Sequence, residues 1–197
     1  MQKSLISMAV LLTFSNLATS QEVNSIINTN QSFDLDTTIN VSAVGEGTDR
    51  YAGIGLNDTA GNHQMNVTSK GGITIKGEQL KLPSGAERLY GVVAGHEGVP
   101  GNKINVNSKG NFDVHLTSIE KDARGIRANG GSIEIEAQRI SVNVESKQNR
   151  AVGLDAWYES SLKLTANEIE INSKTDSGEE VYGIQAASPQ SLSLIHI

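Results

Sequence analysis

A glycine followed by an aliphatic residue returns five times along the chain: Gly53-Ile54, Gly91-Val92, Gly125-Ile126, Gly153-Leu154 and Gly183-Ile184, at spacings of 38, 34, 28 and 30 residues. The flanks recur with it, as RYAGIGL, RLYGVVA, ARGIRA, RAVGLDA and EVYGIQA. Self-similarity at a period of about 30 residues marks repeat architectures, in which each unit buries its apolar face against the next copy. Between the glycines lie runs that alternate apolar and polar residues: HQMNVTS and GITIKG, NKINVNS and NFDVHLTS, GSIEIEA and RISVNVES, SSLKLTA and EIEINSK. A period of two is the signature of a strand with one buried face. The residues expected inside are Ile73, Ile75, Ile104, Val106, Ile133, Ile135, Val142, Val144, Leu162, Leu164, Ile169 and Ile171. Residues 32–43, SFDLDTTINVSA, read as an earlier partial copy with Leu35, Ile39 and Val41 inward.

Each repeat therefore holds three short strands, the glycine strand and two alternating ones. The gaps between the alternating strands, such as Ser-Lys-Gly and Ala-Asn-Glu, are too short for a crossover helix between parallel neighbours. That leaves a hairpin meander folded as a sandwich, or a solenoid whose strands pair with their counterparts one repeat later. A meander has no reason to return to one glycine context, whereas a coil stacked on its own copy does, so the solenoid is the expected fold. The recurrent glycine is expected at a corner where backbones pass closely. The stretch GEQLKLPSGAE, residues 77–87, is expected to bulge from one corner and to account for the uneven spacing.

The first twenty residues read as a separate element. Lys3 provides a positive start, residues 5–14 are a short apolar run, and Ala18-Thr19-Ser20 is a small-residue cleavage site. This is the pattern of a secretory signal peptide, with the mature chain beginning near Gln21 and the apolar run too short to anchor in a bilayer. The organisation expected is a signal peptide over 1–20 and a solenoid fragment over 21–197. The chain closes on GIQAASPQSLSLIHI, which aligns with GLDAWYESSLKL thirty residues earlier and keeps Leu192 and Leu194 in register. A third strand of that coil does not follow, so the fragment is expected to be cut at its C-terminus, with terminal residues resembling translated adapter sequence and an open end prone to edge-to-edge association.

Signal peptide, absence of cysteine and alternating strands rich in Asn, Ser, Thr and Gly together resemble the passenger region of bacterial autotransporters, of the pectin-lyase-like and pertactin-like kind. The resemblance covers about residues 30–194 and rests on architecture without a sharp motif. It implies an all-β fold, a right-handed parallel β-helix of about five coils with three short strands each, rising roughly 4.8 Å per coil. It also implies export to the cell surface, outer membrane or exterior, a C-terminal membrane β-barrel in the full-length protein, and an adhesive or structural role toward a host or bacterial surface protein or glycan.

The chemistry available is narrow. With no cysteine there are no disulfides, thiolate metal sites or thiol nucleophiles. A formal charge of −6 without a basic stripe argues against a nucleic-acid partner. The four histidines, His63, His96, His115 and His196, lie in different repeats without ligand spacing, and loops 57–62 and 175–180 match no calcium motif, so no metal or cofactor is expected. The carboxylate-bearing candidates for catalysis are Asp122 with Arg124 and Asp155 with Glu159, expected at solvated repeat corners. They make a carbohydrate-active β-helix enzyme, a polysaccharide lyase or hydrolase, the alternative to adhesion; convergence of these residues into one groove would favour it. A surface-layer structural protein is the third reading. No catalytic residue is assigned. The binding residues expected are Asp155, Trp157, Tyr158 and Glu159, because DAWYES holds the single tryptophan beside a tyrosine in a corner loop. Arg50, Arg88 and Arg150 precede their glycines by three residues, where other copies place Asp122 and Glu180, so opposite charges on neighbouring coils are expected to pair.

Overall fold

Alternation leaves each strand with one apolar face, and the chain buries that face by coiling around a common axis. In a computed structural model, residues 20–43, 50–56, 61–80, 82, 86, 88–95 and 100–187 are described. They are all-β, with strands numbered here in chain order. One sheet stacks β1 (Ser20–Asn24), β4 (Asp36–Asn40), β8 (Ile73–Leu80), β11 (Phe112–Ser118), β14 (Arg139–Ser146) and β17 (Glu168–Thr175). A second stacks β3 (Gln31–Phe33), β7 (Gln64–Ser69), β10 (Lys103–Ser108), β13 (Ser132–Glu136) and β16 (Ser161–Thr165). The third, which carries the repeated glycines, stacks β2 (Ile26–Ile27), β6 (Arg50–Leu56), β9 (Arg88–Ala94), β12 (Asp122–Asn129), β15 (Ala151–Trp157) and β18 (Val181–Ala186). Pairing within all three sheets is parallel, and the chain visits the third, second and first sheets in turn, which makes a parallel β-solenoid rather than a hairpin meander. The short β5 (Ser42–Ala43) is the exception and runs antiparallel to β6.

Register turns the alternation into ladders. Val23, Ile39, Ile75, Val114, Val142 and Ile171 align across the first sheet. Val67, Val106, Ile135 and Leu164 align across the second. Of the residues expected inside, all are buried except Ile169 and Ile171, which are half-buried in the terminal strand β17. In the earlier partial copy Ile39 is buried and Leu35 and Val41 are half-buried, while Thr37 takes the intervening inward place. Neighbouring β18 leaves Val181 42% and Ile184 45% exposed.

The glycines are not at corners. Gly53, Gly91, Gly125, Gly153 and Gly183 lie within strands of the third sheet, where that sheet meets the aliphatic ladder of the first. A Cβ on Gly91 would stand 2.5 Å from the Gly125 carbonyl oxygen and 2.6 Å from Val114 Cγ1. Close approach of two sheets, rather than a bend, is therefore what demands the missing side chain. Gly183 meets nothing within 4 Å. Gly91→Ala is expected to cost about 1–3 kcal/mol by overpacking, whereas Gly183→Ala is neutral or slightly stabilising; paired urea melts distinguish them.

Polar residues form rows outside. Glu134 reaches Lys103 and Lys163 on the two adjacent coils, and Asn105 donates to Asn66. On the first sheet, Asp113 lies in register with Thr74 and Ser141, and partial burial lifts its carboxyl above the ordinary range against the opposing pull of His115 and Arg139. A carboxyl whose folded pKa is raised favours the fold at low pH and loses that contribution as pH rises. Asp113→Asn is accordingly expected to stabilise at neutral pH, with the gain vanishing on acidification below the usual aspartate range; melting temperatures of both forms against pH check this.

Strand β8 carries the start of the 77–87 stretch and shifts register against β11 between Leu116 and Ser118, as an irregularity there would require. Residues 81, 83–85 and 87 of that stretch lie outside the described residues, as do the signal-peptide pattern up to residue 19, the closing SPQSLSLIHI, His96, His196 and residues 57–60 of the first polar loop. Among the described residues no helix is long and apolar enough to cross a membrane, and no group of three or more histidine or carboxylate side chains is placed to hold a metal ion.

Candidate functional site

Alternation predicts a wet outer side for every strand, and the third sheet departs from it. Its outward residues Ala52, Tyr90, Val93 and Val152 are buried, and so are the outward charges of β12 and β15. Asp122, Arg124 and Asp155 thus sit on strands and are buried, not in solvated corners; Glu159 alone of the four is an exposed corner residue. A charge removed from water needs a partner, and these have them.

The partners form one chain across the sheet. Asp122 accepts from Arg124 Nη2 at 3.1 Å and from Arg150 Nη2 at 2.9 Å, with Arg88 Nε 3.8 Å away. Arg124 continues through Nη1 to Asp155, which is 0% exposed. Asp155 also accepts from Arg127 Nη1 at 2.8 Å and from Trp157 Nε1 at 2.5 Å. Arg127 in turn lies over the Trp157 ring, 5.7 Å from its centroid, and burial pulls its pKa below the usual guanidinium range while Asp155 and Tyr90 hold it up. The pairing expected of opposite charges on neighbouring coils is present in Arg88, Asp122, Arg150 and Glu180, the last 4.0 Å from Arg150. The buried Nε of Arg124 has no hydrogen-bond partner, so both of its bonded edges lie on the two aspartates.

This chain of ion pairs ends at the DAWYES corner. Trp157 is half-buried, fixed at Nε1 by Asp155 and on one ring face by Arg127. Tyr158 is 43% exposed, its ring 6.0 Å from that of Trp157 and inclined at 45°. The turn is tied to the preceding coil by Gly130 N–H, which donates to Ser160 Oγ at 2.8 Å and to the Trp157 carbonyl at 3.1 Å; the Ser160 hydroxyl also donates to that carbonyl.

Two successive non-glycine residues here adopt the left-handed region, Tyr158 at φ 54° and Glu159 at φ 55°. The register Asn129 to Trp157 makes Gly130, at φ 80°, the counterpart of Tyr158 in the preceding coil. The fold thus calls for a left-handed residue at this corner, and one coil fills it with glycine while the next fills it with an aromatic side chain. That choice costs about 1–2 kcal/mol of backbone energy.

Of the residues predicted for binding, Trp157, Tyr158 and Glu159 come together at the surface, and Asp155 lies beneath them as the group that orients the tryptophan. Neither Arg127 nor the link of Arg124 to Asp155 is among the sequence expectations. Their signal is register: Arg127 and Asp155 each stand two residues after their repeat glycine, a matched offset carrying opposite charge. The chain matches no protein-family model, no curated protein sequence and no solved structure.

Proposed function

We propose that the chain is an exported, rigid β-solenoid with an adhesive role, contacting a partner surface through the corner of Trp157, Tyr158 and Glu159. The observation that carries this reading is Tyr158 in the left-handed place that Gly130 takes one coil earlier. Strained backbone that a scaffold keeps in spite of its cost concentrates where side chains must be presented. The clamped tryptophan beside it supports the reading, since a pre-ordered aromatic loses little freedom on binding. Export to the cell surface or exterior, as in an autotransporter-type passenger, rests on the pattern of residues 1–20 and on the strand repeats. The test is adhesion of protein-coated fluorescent beads to bacterial and epithelial cell surfaces. Binding by the wild type and loss with Tyr158→Ala support the reading; equal adhesion by both overturns it.

A second reading, a carbohydrate-active enzyme, is favoured by the convergence of Asp122, Arg124 and Asp155 into one cluster. Both carboxylates are held by guanidinium groups and buried, so these pairs would have to open before either acted on a polymer. Incubation with polygalacturonate and related polymers, followed for new reducing ends, decides it: chain cleavage abolished by Asp155→Asn establishes the enzyme, and intact polymer removes it.

A further inference from the structure

The chemistry at the corner narrows the kind of partner. Two aromatic rings inclined at 45° and 6.0 Å apart do not offer one flat plane, so a sugar ring laid on one would leave the other unused. Inclined rings instead turn their negative faces in different directions, and such a face attracts a cation. Trp157 already takes a guanidinium, that of Arg127, over one face. Beside the rings stands Glu159, an exposed carboxylate with no hydrogen-bond or ion-pair partner among the described residues. Several other surface acids are matched by cations: Glu134 with Lys103 and Lys163, Glu170 with Arg139, and Asp176 with Lys147 and Lys174. A chain of formal charge −6 also draws positively charged partners from a distance.

We propose that Tyr158, Trp157 and Glu159 together receive a basic side chain, an arginine or lysine, projecting from a partner protein. This rests on the adhesive reading and specifies its ligand class. The left-handed backbone at both Tyr158 and Glu159 serves it by turning an aromatic ring and a carboxylate outward at the same corner. Arginine is the better fit of the two, because its planar fork can bond the carboxylate while stacking on a ring.

The probes are synthetic octapeptides of arginine, lysine, serine and glutamate, together with a neutral and an acidic oligosaccharide. Trp157 is the single tryptophan, so its emission reports the corner directly. The arginine peptide is expected to change that emission with saturation, more tightly than the lysine peptide, and to weaken about tenfold as salt rises from about 0.05 to 0.5 M. Glu159→Gln and Tyr158→Ala should each weaken it by about three- to tenfold, while Glu134→Gln, an acid outside the corner, leaves it unchanged. Equal loss from Glu134→Gln would mean unspecific attraction to an acidic protein and would overturn the proposal, as would binding of a saccharide alone. The two levels separate cleanly. If cell adhesion needs Tyr158 but is neither reduced by Glu159→Gln nor competed by the arginine peptide, the basic ligand is wrong and adhesion stands. If adhesion does not need Tyr158, the adhesive reading itself fails.

Discussion

Replacing Asp155 by alanine is expected to lower stability by about 3–5 kcal/mol, since breaking a buried pair leaves its partner charges uncompensated. Asp155 is the shared acceptor of Arg124, Arg127 and Trp157, and it is fully buried. Its loss leaves Arg127 buried without a carboxylate, leaves Arg124 with Asp122 alone, and releases the indole N–H. For a chain of this size the melting temperature should fall by roughly 6–20 °C. The single tryptophan makes a second readout possible in the same sample: emission should move toward that of a solvent-exposed indole even below the melting transition. A drop under about 1 kcal/mol with unchanged emission would mean that the cluster is solvated, as surface ion pairs are.

Ile135→Asp should be the more damaging change, at about 5 kcal/mol or more, and it is expected to abolish cooperative melting at neutral pH. Ile135 is fully buried and stands in register between Val106 and Leu164, so its side chain has apolar neighbours on both adjacent coils. A carboxyl placed there has its pKa raised by desolvation, and a raised folded pKa makes stability fall as pH rises. Part of the loss should therefore return in acid. The outward neighbour Glu134, already a carboxylate on the same strand, tolerates Glu134→Asp within about 0.5 kcal/mol. Far-UV circular dichroism with thermal melts of both variants checks the inward and outward assignment at once.

Much of this fold was legible because the repeat and the alternation make independent demands that agree. Ile104, Val106, Ile133 and Ile135 each satisfy both, and each is buried. The glycine was misread in position and rightly read in cause: close approach is real, but it occurs between sheets and within strands. Spacing alone does not tell a corner from a strand centre. The burial of the third sheet's outer side was also present in the sequence. RLYGVVA and RAVGLDA are near-continuous apolar runs rather than alternating ones, the mark of a strand covered on both faces. Recognising that would have moved Arg124 and Asp155 from the solvated surface into a desolvated network. The left-handed backbone of Tyr158 was not legible, because nothing in an aromatic dipeptide signals positive φ. It emerges only when register sets Tyr158 opposite Gly130.

The role of that residue is open to a direct comparison. Tyr158→Ala and Tyr158→Gly both remove the ring, and they differ in the backbone preference of what is left. If the scaffold holds Tyr158 against its preference in order to present it, the glycine variant should be more stable than the alanine variant by about 1 kcal/mol, opposite to the usual order in regular structure, and both should lose adhesion. Alanine matching glycine in stability, or either variant adhering as the wild type does, would contradict the account.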